Sequence, residues 1–111
     1  MRQSELKAIL EDHKLWIQSD GKQGKRANLR GADLRGADLS CANLQGAKIT
    51  TNFKRVGWFN CATFSEDQIP WVVLHPRYHE WAHTLKWVKT ESKQVVGSFE
   101  QAIIPVPVRE P

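Results

Sequence analysis

The sequence predicts a repeat fold in which the chain turns a corner every five residues, with one helix before the repeat and another after it. The repeat reads Ala27-Asn28-Leu29-Arg30-Gly31, Ala32-Asp33-Leu34-Arg35-Gly36, Ala37-Asp38-Leu39-Ser40-Cys41, Ala42-Asn43-Leu44-Gln45-Gly46 and Ala47-Lys48-Ile49-Thr50-Thr51. Ala is followed two positions later by Leu or Ile, five times in succession. Helical side chains return to one face every 3.6 residues and strand side chains every two, so neither element has this period. The flanking helices are predicted by apolar residues at spacings of three and four on each side of the repeat.

Residues 4–19 form the first helix. Leu6, Ile9, Leu10, His13, Trp16 and Ile17 share one face. Ser4 is the expected N-cap and Glu5 sits in the first turn, where the helix dipole favours a negative charge. Gly21 is the expected stop, inside the turn-rich linker Asp20-Gly21-Lys22-Gln23-Gly24.

The tandem Ala-(Asp/Asn)-Leu-X-X over residues 27–51 resembles the pentapeptide-repeat proteins. The short helix with His13, Trp16, Gly21 and Gly24 before Arg26-Ala27-Asn28-Leu29 is similar to the way many bacterial members begin. The likeness is clean over 27–51 and loose over 52–66. It implies an all-β solenoid: a right-handed quadrilateral β-helix of about two coils, with four pentapeptides, or twenty residues, per coil. It also implies a scaffold for binding. The family's acidic rods that imitate DNA are a poor match, because this repeat is short and basic.

The residue chemistry suits that fold. The central Leu or Ile points inward and stacks on the residue twenty positions later, at about the 4.8 Å spacing of neighbouring strands. Asp or Asn before it can hold corner amides. The fifth residue, often Gly, tolerates the tight corner. Leu29 should stack on Ile49, Leu39 on Phe59 and Leu44 on Phe64. Leu34 would meet Lys54, so a local bulge over 51–60 is expected, placing Phe53 and Trp58 inside. One extra residue near Cys61 would then restore the count.

Three parts follow: residues 1–24 as helix and linker, 25–69 as repeat, and 70–111 as an aromatic helix with an extended tail. In the last part, Tyr78, Trp81, Ala82, Leu85 and Val88 form a stripe over 76–90, with Trp87 beside it. Val95–Phe99 reads as a short strand. Ile103-Ile104-Pro105-Val106-Pro107-Val108 cannot be helical. Tyr78, Trp81, Leu85, Trp87 and Val88 either cap the open end of the repeat or form a homodimer seam.

The net charge of +4 is uneven. Lys22 to Arg55 carries eight basic and two acidic residues, leaving the remainder at −2. Arg26, Arg30, Arg35, Lys48, Lys54 and Arg55, with Trp58, are the candidate partner-binding set. A protein partner is the first expectation: a bacterial host complex, bound or inhibited by a small protein of the kind a phage uses for counter-defence. Nucleic acid bound through the basic face and a purely structural homodimer are the alternatives. No apolar run suits a membrane span or a secretory signal, so the expected setting is the cytoplasm, with no membrane partner.

Enzymatic chemistry is not expected. G-x-S-x-G, Walker and H-E-x-x-H motifs are absent, and Ser40 and Ser65 have no evident base. No cofactor is implied. Two cysteines give no disulfide framework. Reduced Cys41 and Cys61, twenty apart and so stacked, are the expectation. A zinc site from Cys41, Cys61, His79 and His83 is the alternative, without a supporting C-x-x-C.

Overall fold

The structure is a computed structural model that describes residues 1–89 and 95–99. Helix α1 (Gln3–Gln18) leads into the repeat. After it come β1 (Thr63–Ser65), the one-turn helices α2 (Ile69–Val72) and α3 (Tyr78–Trp81), then β2 (Lys86–Val88) and β3 (Val95–Ser98). The three strands make an open sheet in the order β1-β2-β3, parallel then antiparallel. The expected solenoid with flanking helices is met in part: among the described residues, α1 precedes the repeat, α2 and α3 follow it, and the regular sheet is small and unclosed.

Within the repeat, backbone pairing joins residues twenty apart. Asn28 bridges Lys48, Asp38 bridges Trp58, and Asn43 bridges Thr63, all parallel. Amides of Leu29, Leu39 and Leu44 donate to the carbonyls of Lys48, Trp58 and Thr63, each at 2.8 Å. The central residues Leu29, Leu34, Leu39, Leu44 and Ile49 are all buried. Phe53, Phe59 and Phe64 form the next layer, with ring centroids 5.1 to 6.2 Å apart and edge-on packing. Such pairs add about 0.5–1.5 kcal/mol beyond the area they bury.

One turn chemistry makes the corners. The amides of Ala32, Ala37, Ala42, Ala47 and Ala62 each donate to the carbonyl three residues earlier. The third residue of each turn, at Gly31, Gly36, Cys41, Gly46 and Cys61, has φ between 56° and 79°. That positive φ is what a type II turn requires, which is why Gly recurs at the fifth repeat position. Ahead of the first four turns, side-chain oxygens of Asn28, Asp33, Asp38 and Asn43 accept the amide two residues on, at 3.0 to 3.2 Å.

The expected irregularity is real but shorter than predicted. A 3-10 turn over Thr51–Arg55 turns Phe53 inward and leaves Lys54 and Arg55 exposed. Burying Phe rather than Lys supplies the physical reason. The count is restored before Trp58, whose amide already donates to Ala37. Trp58 is thus 48% exposed rather than inside, and no extra residue enters near Cys61.

Both ends of the paired region are covered, so that its outer backbone groups find partners. At one end, the Gln3 carboxamide donates to the Asp38 carbonyl and accepts its amide, as a strand would. At the other, β2 pairs with β1, while between the two levels the fully buried Gln68 donates to Leu44 and Ala47 and accepts from Ser65. Helix α1 starts with Arg2 as N-cap, its amide bound by Glu5, correcting the expectation for Ser4.

The predicted helix over 76–90 is corrected as well. It stops after one turn at Trp81, passes through a 3-10 turn and becomes β2, which lies parallel to β1. Tertiary pairing overrides the helical periodicity here. Tyr78, Leu85 and Val88 are buried within this chain, and Trp81 and Trp87 are half-buried against its core. The expected strand at 95–99 is observed as β3, while the predicted tail at 103–108 lies outside the described residues.

Candidate partner-binding face

Two buried histidines tie the flanking segments to the repeat. The His13 Nε2–H donates to the Gln45 carbonyl at 2.9 Å, and its Nδ1 accepts the Ala27 amide at 3.0 Å. His75 repeats the pattern, Nε2 donating to Val56 and Nδ1 accepting from Arg77. Each ring is therefore neutral with its proton on Nε2, because a carbonyl can only accept. Burial is the main cause that pushes both imidazoles below their ordinary value; nearby Arg26 and Arg77 push the same way. The chain before the repeat is held close: a Cβ on Gly24 (φ +71°) would collide with the Asp12 carbonyl and with Leu15.

Six of the predicted cations gather along two clefts that share Thr50. Arg26, Arg30 and Lys48 line one, of about 290 Å³, together with Asp67, Gln68 and Trp71. Arg35, Lys54 and Arg55 line the other, of about 570 Å³, with Asp33 and Asn52. The corner geometry explains this grouping. Arg30 and Arg35 follow buried Leu residues and so point out at successive corners. Lys48 bridges Asn28 from the neighbouring level, and the 3-10 turn presents Lys54 and Arg55.

These cations differ in how they are held. Arg35 pairs with Asp33 at 2.8 Å on the surface, and that guanidinium keeps the Asp33 carboxyl well below the usual range. The Arg26 Nε donates to Gly46 at 2.6 Å while its guanidinium lies 5.6 Å from the Trp16 ring centroid. Arg30, Lys48, Lys54 and Arg55 form no ion pair among the described residues. Trp58 lines neither cleft; it lies on the rung with Asp38. Asp67, Gln68 and Trp71 were absent from the predicted set, because only the docking of α2 brings them beside the repeat.

Cys41 and Cys61 are adjacent, as the twenty-residue spacing predicts, with Cα atoms 4.4 Å apart. They are joined by a disulfide at the exposed corners rather than being reduced. This corrects both the expectation of free thiols and the zinc alternative, since a disulfide offers no thiolate. His79 and His83 are exposed and do not join them in a metal-ligating cluster among the described residues.

A family model described as "Pentapeptide repeats (8 copies)" matches residues 25–51. No curated protein matches the chain, and no solved structure does. No helix among the described residues is long and apolar enough to cross a membrane.

Proposed function

Taking as premise that this chain is a pentapeptide-repeat protein, we propose that it is a non-enzymatic scaffold whose basic face binds an acidic surface of a bacterial protein. Repeats of this family are generally protein-interaction scaffolds. The observation that carries the reading is the gathering of Arg26, Arg30, Arg35, Lys48, Lys54 and Arg55 along two adjoining clefts. Five of them, all but Arg35, lack an ion-pair partner among the described residues, so they are available to neutralise carboxylates. Cations arranged this way favour encounter with a complementary surface. The right-handed, two-coil quadrilateral β-helix belongs to this proposal, supported by the twenty-residue offset of the bridges. So does the target: a host enzyme or defence complex that binding inhibits, in the cytoplasm of a bacterium. That choice of target rests on economy and on no single residue.

The test is capture from bacterial lysate, with and without nuclease treatment, by the wild type and an Arg35→Glu/Arg55→Glu variant. A protein retained by the wild type and lost by the variant is the expected result. Capture that vanishes on nuclease treatment would move the reading to nucleic acid. Equal capture by both proteins would remove the basic face from the interface.

A further inference from the structure

The smaller cleft differs chemically from the rest of the basic face. Trp71, half-buried on α2, is part of its lining. Arg26, Arg30 and Lys48 line it without ion-pair partners among the described residues, and the Arg26 Nε is already bound to the Gly46 carbonyl. Asp67, exposed and also without an ion pair among the described residues, completes the lining. Gln68 is not available to a ligand, because its carboxamide is fully used on Leu44, Ala47 and Ser65.

We infer that this cleft binds a mononucleotide, with phosphate on Arg30 and Lys48, base on Trp71 and ribose hydroxyls on Asp67. The set is read by elimination among small ligands. Bare phosphate would use the cations but be repelled by the carboxylate. A nucleoside would use the indole and carboxylate but leave the cations unmatched. A nucleotide meets all three at once. A carboxylate accepting ribose hydroxyls is a known solution in dinucleotide sites, and a base stacked on an aromatic side chain is worth about 1–3 kcal/mol. The volume of about 290 Å³ lies at the small end for ligand sites and suits one nucleotide, not a dinucleotide. Lys48 is half-buried, whereas Lys54 and Arg55 are exposed.

This inference does not depend on the scaffold reading. The experiment is calorimetric titration of the purified full chain with AMP, adenosine and inorganic phosphate at low salt. AMP is expected to bind at least about tenfold more tightly than either fragment, since adenosine lacks the phosphate contacts and inorganic phosphate lacks those of base and ribose. Arg30→Ala and Asp67→Asn, both at exposed positions, should each weaken AMP binding about tenfold or more, and Trp71→Phe should weaken it less. Arg35→Glu/Arg55→Glu, which tests the scaffold, should leave AMP binding within about twofold. AMP binding no tighter than that of phosphate, or binding untouched by both Arg30→Ala and Asp67→Asn, overturns the inference. Circular dichroism of each variant confirms that the fold is retained.

Discussion

Replacing His13 by Ala should detach the N-terminal helix from the repeat at a large cost. The imidazole is fully buried and serves two backbone groups, the Gln45 carbonyl and the Ala27 amide. Ala leaves both without a partner in a site closed to water. Each orphaned group costs about 1–3 kcal/mol, so the pair costs about 2–6 kcal/mol. The ring also stacks on Trp16 at 5.3 Å, and losing that contact adds to the same side. A loss of about 4 kcal/mol is a large share of the roughly 5–15 kcal/mol that holds a typical domain together. In urea denaturation, with a slope of about 1–3 kcal/mol/M, the midpoint should fall by about 2 M. The same site gives a pH dependence. The folded His13 and His75 have lowered pKa values, so the unfolded chain binds protons first as pH falls. The stability they contribute is complete above the ordinary value of 6.5 and is lost progressively as pH drops through their folded-state values. The wild-type midpoint should therefore decrease between about pH 7.5 and pH 5, and His13→Ala should show a shallower decrease. A midpoint shift under about 0.5 M at neutral pH would refute the capping role assigned to the ring.

Two further outcomes follow from the same packing. Phe53→Ala removes the ring that meets Phe59 and Phe64 and that the 3-10 turn exists to bury; thermal denaturation should show a loss of about 3–5 kcal/mol, and a loss below about 1 kcal/mol would mean the turn is held by something else. Removing the disulfide, which closes a loop with a separation of 20 residues, should cost about 3 kcal/mol in the chain-entropy account. Because Cys41 and Cys61 both sit at positive φ, Cys41→Gly/Cys61→Gly should melt higher than Cys41→Ser/Cys61→Ser, by about 1–2 kcal/mol per site; equal melting would contradict the left-handed corners.

Much of this molecule follows from local rules that the sequence carries by itself. The alternation of small residue and Leu marks which side chains are buried, because each corner turns on the same type II chemistry and needs no distant partner. Helix α1 and the twenty-residue neighbours were legible for the same reason: Leu29, Leu39, Leu44 and the two cysteines fall where the count puts them. Basic corners were legible because a residue after a buried Leu must point outward.

Tertiary structure decided the rest, wherever two local preferences competed. The stripe from Tyr78 to Val88 has helical spacing, yet residues 86–88 gain more by pairing with the open edge of β1 than by continuing a helix, which leaves Tyr78, Leu85 and Val88 in the core. Trp58 stays outside because Phe59 fills the inner position opposite Leu39, a choice that depends on where the 3-10 turn ends. The cleft with Trp71 and Asp67 exists only because α2 folds back against Lys48 and Arg30. A five-residue period reports what repeats; it carries no information about the segment that closes the end, since that segment makes its contacts across the chain and not along it.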